Sequence, residues 1–203
     1  MSHFVITLGC EYGSGGPDIG RMIADSLGIE FYDRDLIDKV VEELGVDREL
    51  VEKADTGDKV RYEFDTNLGP RYANLTNRVI AAQFDVIRKF AEKSSCLIVG
   101  RCSDYILKDR DDCLNIFVYA PEEYRVRHIM EQRHVKEKEA RELVKYNDDM
   151  LHARYKYLTG TYRGDRHRRH LLVDSSVLGL EKTAKYIMQF IDLRFEEIGR
   201  AHV

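Results

Sequence analysis

In FVITLGCEYGSGGPDIGRMIADSLGIEFYDRD, residues 4–35, an apolar run gives way to a glycine-rich bend, an amphipathic segment and a short aromatic run closed by charged residues. Phe4-Val5-Ile6-Thr7-Leu8 is rich in β-branched residues and does not alternate, which suits a central strand covered on both faces of a parallel sheet. Gly9-Cys10-Glu11-Tyr12-Gly13-Ser14-Gly15-Gly16 follows, with four glycines in eight residues. Glycine admits positive φ and lets backbone N–H groups converge on one point, and such a concavity binds anions. Pro17 falls in a first helical turn, where its missing N–H is no loss. Ile19, Met22, Ile23 and Leu27 then recur at helical spacing, and Gly28 ends the helix. A glycine bend feeding a helix N-terminus, with loop donors and helix dipole aimed the same way, makes a phosphate site. The alternative is a tight strand-to-helix turn without a ligand.

Two glycine patterns fit in part. The full phosphate-loop pattern requires glycine, four residues, glycine, lysine and then serine or threonine. With Gly15 as its second glycine, Cys10 takes the first glycine position, Gly16 the lysine and Pro17 the hydroxyl. Of the dinucleotide fingerprint, Gly13 and Gly15 fit while Asp18 takes the third glycine; Asp33 stands near where a ribose-binding acid belongs.

Three further segments, CLIVGRCSDYIL (96–107), IFVYAPEEYRVRHIM (116–130) and LLVDSSVLG (171–179), complete a pattern spanning nearly the whole chain. It resembles the cytidylate kinase-like proteins, relatives of bacterial cytidylate kinase among the phosphate-loop nucleoside monophosphate kinases. Its most specific pieces are YGSGG (12–16), YDRDLI (32–37) and VGR-x-x-DYIL (99–107). Proteins of this branch commonly lack the loop lysine. The resemblance implies transfer of the γ-phosphate of ATP, with Mg2+ bridging the phosphates, to a small acceptor such as CMP. Gly13, Ser14, Gly15, Gly16 and Asp18 would hold the donor phosphates. Arg101 and Arg154 would neutralise charge, with Asp148 orienting the acceptor or the arginines. Asp33, Arg34 and Arg78 would face the acceptor. The resemblance also implies an acceptor arm over about 33–74 and a lid over about 134–169.

Composition bounds these expectations. The 203-residue chain suffices for one substantial core, so a single domain is expected. Its net charge of −4 argues against general nucleic-acid binding, because a duplex binder needs a basic face to release phosphate counterions. Cys10, Cys96, Cys102 and Cys113 have neither C-x-x-C spacing nor a flanking histidine pattern, so neither zinc nor a disulfide framework is expected. No signal peptide is read at the start and no apolar run is long enough to cross a bilayer. A cytoplasmic protein acting on nucleotide-sized substrates, without membrane partners, is the expectation; the sequence leaves the oligomeric state open.

Beyond the bend, Glu30-Phe31-Tyr32 reads as a second strand, with Asp33 or Asp35 capping the next helix. Helical spacing through Val40, Val41, Leu44, Leu50 and Val51 breaks at Gly45, giving two short helices. Periodicity is lost from Asp55 to Asn74, a loop placed where substrate enters, and resumes from Leu75 to Ala91. Arg78, Gln83 and Arg88 lie off that stripe. Cys96–Val99 is a strand that runs into Gly100-Arg101. Ligands sit at the carboxyl ends of parallel strands, so Arg101 is expected in the crevice, where its planar fork suits bidentate phosphate contact; the alternative is a salt bridge to Asp104. Asn115–Tyr119 is a fourth strand. Pro121 then takes N1 of a helix with Tyr124, Val126, Ile129 and Met130 inward and Arg125, Arg127, His128 and Arg133 outward.

The lid departs from the family pattern. Asp148 falls where relatives carry an aspartate followed three residues later by an arginine, and here the later residue is Leu151. Positive charge gathers instead at Arg154 and at Arg163, Arg166, His167, Arg168, Arg169 and His170. Either these arginines have taken over phosphate neutralisation, or the chain binds nucleotide with weak turnover, or the run is solvated surface. Leu171–Asp174 is the fifth strand, and Glu181–Arg194 a closing helix with Tyr186, Ile187, Phe190, Ile191 and Leu193 inward. Strands alternating with helices give an α/β fold: a five-stranded parallel sheet with helices on both faces. The leading function is a nucleoside monophosphate kinase. A nucleotide-sensing module is second, and a dinucleotide-dependent oxidoreductase, disfavoured by Asp18, third.

Overall fold

The computed structural model describes residues 3–33, 35–45, 48–49 and 70–195. Strands β1 (Val5–Cys10), β2 (Glu30–Tyr32), β3 (Cys96–Val99), β4 (Cys113–Tyr119) and β5 (Leu171–Asp174) form one sheet in the order β2-β3-β1-β4-β5, every pairing parallel. The helices are α1 (Gly16–Leu27), α2 (Asp35–Leu44), α3 (Pro70–Lys93), α4 (Ser103–Ile106), α5 (Glu122–Arg133), α6 (Glu137–Thr159), α7 (Ser175–Leu178) and α8 (Leu180–Arg194), with a 3-10 turn at Arg166–Arg168.

The unalternating first run is central because both of its faces are covered. Ile6 and Leu8 join Leu97, Val99, Ile116 and Val118 in a core against Ile19 and Ile23 of α1 and Ile187 and Ile191 of α8. Val5 points the other way, with Cys96 and Ile98, onto Leu36 and Val40 of α2 and Val79, Val86 and Ile87 of α3. Val5, Ile6 and Leu8 are fully buried, each contributing about 1.5–3 kcal/mol relative to exposure. A third, smaller cluster joins α5 to α6 through Val126, Ile129, Ala140 and Val144, and Tyr12 of the glycine bend packs against it.

The structure corrects several boundaries. β1 runs past Leu8 to Cys10, because Gly9 and Cys10 still pair with Phe117 and Val118 of β4. α3 begins at Pro70, so the end of the expected loop is helical; proline is well suited to a first helical position. α2 ends at Leu44, and Gly45 in the left-handed region (φ 59°) donates its N–H to Val41 O at 2.9 Å. Pro121 is the N-cap of α5 rather than its first residue. On α8 the buried stripe is Thr183, Ala184, Ile187 and Ile191, leaving Tyr186 and Leu193 exposed at 46% and 72%. Apart from the helical residues 48–49, the expected second helix of the acceptor arm lies outside the described residues, as does most of its loop.

Candidate functional site

The carboxyl ends of β1, β3 and β4 converge on the glycine bend. Glu11 N–H donates to Val118 O at 3.0 Å and Gly100 N–H to Leu8 O at 3.0 Å, tying the bend to both neighbouring strands. Ser14 is fully buried. Its hydroxyl donates to Glu11 O at 2.8 Å and its carbonyl accepts from Ser175 Oγ at 2.7 Å, so this side chain faces inward and braces the bend.

Gly13 and Gly15 have φ of 82° and 78°, where a side chain is strained. Their neighbours also exclude one. A Cβ on Gly13 would lie 2.9 Å from Arg125 O, one on Gly15 would enter the Leu180 side chain, and one on Gly16 would enter that of Cys10. Among the described residues, no hydrogen bond uses the amides of Gly13, Gly15, Gly16 or Asp18. Those of Gly16 and Asp18 belong to the first turn of α1, whose donors have no partner within the helix. The carboxylate of Asp18 is exposed.

Sequence periodicity placed Arg125 outward, and the structure corrects this: the residue is 8% exposed. Its guanidinium donates to Ala120 O at 2.9 Å and Tyr12 O at 3.1 Å, contacts the Asp148 carboxylate, and stands 3.3 Å from Glu11 Oε2. The surrounding carbonyls and carboxylates satisfy it in place of water, as a buried cation requires. Asp148, from the middle of α6, also accepts from Tyr12 N–H at 2.9 Å. Arg163 completes the group, donating to Cys10 O with its other terminal nitrogen 3.5 Å from Asp148 Oδ1. His128 Nδ1 lies 2.8 Å from Gly13 O, to which it donates.

Six residues further along α6, Arg154 donates to Gln83 Oε1 of α3 at 2.6 Å, and Tyr155 donates to Asp104 Oδ2 at 2.6 Å. One helix therefore reaches from the glycine bend to the opposite flank of the sheet. Asp104 also pairs with the buried Arg169. The expected site residues thus divide. Gly13 to Gly16 and Asp148 come together at the bend; Arg154 is held on α3; Arg78 is exposed on α3; Arg34 lies outside the described residues.

Arg101 follows the end of β3 in an unusual backbone. Gly100, Arg101 and Cys102 have φ of 66°, 56° and 57°, three left-handed residues in succession, two of them not glycine. At the two non-glycine residues such a conformation costs about 1–3 kcal/mol each, and strain of this kind gathers at functional sites. Val99 pairs with Leu8, so Arg101 follows two residues beyond the register that leads β1 into the bend.

The Cys10 thiol is pushed up to about 11, chiefly by burial, with Arg163 opposing and Asp33, Asp148 and Glu11 adding to the rise. Asp33 directly follows the carboxyl end of β2. Burial likewise raises Cys96 to about 12, Cys102 to about 11 and Cys113 to about 12. The buried Cys96, Cys102 and Cys113 are expected to resist a thiol-reactive reagent at pH 8 in the native protein and to react after denaturation, with the half-buried Cys10 reacting first. Because folding raises these values, stability is expected to hold below the ordinary thiol range near 8.5 and to fall as pH climbs toward 11–12, as read by urea midpoints.

No group of three histidine, cysteine, aspartate or glutamate side chains is placed to hold a metal ion among the described residues. With the Ser14 hydroxyl turned inward and Pro17 at the hydroxyl position, the bend provides no resident magnesium site. No helix among the described residues is long and apolar enough to cross a membrane.

A family model described as the cytidylate kinase-like family matches residues 5–177. The chain belongs to the cytidylate kinase-like family. Among solved structures, this cytidylate kinase-like protein is similar to an uncharacterized protein from Eubacterium ventriosum, at 24% identity and a TM-score of 0.71 over 94% of this chain and 99% of that one. It is also similar to shikimate kinase from Bacteroides thetaiotaomicron (10% identity, TM-score 0.56, 94% and 99% covered). Shikimate kinase from Acinetobacter baumannii, solved with shikimate, gives 16% identity and a TM-score of 0.52 over 94% and 93%. At these identities the likeness is one of fold. Among curated proteins none matches the chain.

Proposed function

We propose that this cytidylate kinase-like protein moves the γ-phosphate of ATP, carrying Mg2+ on its phosphates, to a small acceptor such as CMP. The reading rests on one observation: the amides of Gly13, Gly15, Gly16 and Asp18 form no hydrogen bond among the described residues while arginines stand beside the bend they belong to. Those amides receive the donor phosphates. Arg101 enters from the end of β3, and Asp148 aligns arginines on the bend before the phosphates arrive. Asp33 and Arg34, with Arg78 across the crevice, face the acceptor in an arm over about 33–74, under a lid over about 134–169. Arg154 joins the site when it leaves Gln83. Phosphoryl transfer asks chiefly for positioning and charge neutralisation, which this set supplies without a covalent step on the protein. The chain forms one domain and works in the cytoplasm.

A weakly catalytic nucleotide-binding module is the second reading, favoured by the hold of Gln83 on Arg154. A coupled assay with ATP and a panel of nucleoside monophosphates separates the two: product with CMP supports the kinase, and ATP-induced stabilisation without product supports the module. Arg101→Gly refines the result. It relieves left-handed strain of about 1–2 kcal/mol, which offsets the loss of the side chain's own contacts, and the variant is expected to lose at least a hundredfold in turnover. A lower melting temperature with turnover intact would return Arg101 to a structural role.

A further inference from the structure

We infer that the Asp148 carboxylate occupies a phosphoryl subsite of the glycine bend, held by the Tyr12 amide, Arg125 and Arg163, and that a nucleotide phosphate takes its place when it binds. Three donors from separate parts of the chain meet on this carboxylate. Tyr12 N–H donates to its Oδ1 at 2.9 Å, Arg125 Nη1 contacts its Oδ2, and Arg163 Nη1 stands 3.5 Å from Oδ1. One backbone amide and two guanidiniums around a planar anion are the chemistry that grips a phosphoryl group.

The local charge supports exchange. Arg125 and Arg163 face Glu11 and Asp148, two cations against two carboxylates, and the side chains of Arg125 and Arg163 are 10% and 15% exposed. Glu11 stays committed to the strand end, accepting from Ala120 N–H at 3.2 Å. Asp148 is the exchangeable member of the pair because the contacts of its carboxylate run to the three donors that a phosphate would use, the Tyr12 amide, Arg125 and Arg163. Its departure would release two arginines onto the incoming phosphates at a bend that has no lysine. Arg163, whose guanidinium already contacts the carbonyl of Cys10 at the start of the bend, then supplies the cation the loop lacks. This inference deepens the kinase reading and rests on the same bend.

The test uses inorganic tripolyphosphate, which needs no turnover, titrated calorimetrically into the full chain at fixed ionic strength. Asp148→Asn keeps the acceptor for Tyr12 and removes the competing charge, so it is expected to bind tripolyphosphate at least tenfold more tightly. Arg163→Gln is expected to bind it at least tenfold more weakly. Unchanged or weakened binding by Asp148→Asn, full affinity in Arg163→Gln, or no binding by any variant would each overturn the inference. The unaltered protein gives a second readout should a variant fail to fold: tripolyphosphate should move the Tyr12 amide resonance, and a resonance that stays in place at saturation sinks the exchange. The kinase reading fails separately, by absence of phosphoryl transfer from ATP in a protein that binds tripolyphosphate as described.

Discussion

Arg169→Met is expected to destabilise the protein by about 3–5 kcal/mol, the range for removing one partner of a buried ion pair, with a melting temperature lower by on the order of 10 °C. Arg169 is 8% exposed and Asp104 9%. The guanidinium contacts Asp104 Oδ2, donates to Arg163 O at 2.9 Å, and lies 5.5 Å from the ring centre of Phe117 and 5.6 Å from that of Tyr155. Without it, Asp104 retains the Tyr155 hydroxyl at 2.6 Å as its remaining described side-chain donor. Burial, followed by the charge of Asp104, pushes that phenol up to about 12, so it stays a proton donor at neutral pH. One hydroxyl does not compensate a buried carboxylate. Asp104→Leu combined with Arg169→Met is expected to cost less than Arg169→Met alone, since no orphaned charge is left, and urea unfolding of both singles and the double gives the coupling. A loss under about 1 kcal/mol in Arg169→Met would mean that solvent screens the pair.

This pair shows what a linear reading reaches and where it stops. The sheet was legible because parallel strands buried on both faces leave continuous apolar runs, as in Val5–Leu8 and Cys96–Val99. The bend was legible because glycines needed for positive φ are visible as residue types. The basic run was another matter. Arg166, His167 and Arg168 are exposed, whereas Arg163 and Arg169 are drawn inward by Asp148, the Cys10 carbonyl and Asp104, partners distant in sequence that no local pattern marks. Arg125 was misplaced for a related reason. It lies four residues before the buried Ile129, at the edge of the inward arc of α5, and a charged residue at such an edge is read as solvated unless its counter-ions are known. Asp148 and Arg154 share a helix and a functional expectation, yet their side chains are held on opposite flanks of the crevice.

Gly13→Ala is expected to reduce the proposed phosphoryl transfer by about a thousandfold, comparable to the loss of a principal charge-stabilising group in such reactions, and to destabilise the fold by roughly 2–5 kcal/mol. Two effects add. At φ 82° any side chain meets left-handed strain of about 1–2 kcal/mol. The new methyl would also lie 2.9 Å from Arg125 O and 3.1 Å from Ile129 Cγ1. The first of these is backbone, so relief requires moving α5 or the bend, at a cost of about 1–3 kcal/mol for overpacking. Either shift disturbs Tyr12, whose carbonyl and amide hold Arg125 and Asp148. Gly28→Ala is the matched control. That glycine also has positive φ, at 63°, but nothing lies within 4 Å of its added Cβ, so it should carry the strain alone, about 1–2 kcal/mol, with turnover intact. Equal losses of stability in the two variants would show that the close approach of α5 is absorbed by small adjustments, and normal turnover in Gly13→Ala would remove the bend from the chemistry. A thousandfold loss confined to Gly13→Ala would place the chemistry where α5 presses on the bend.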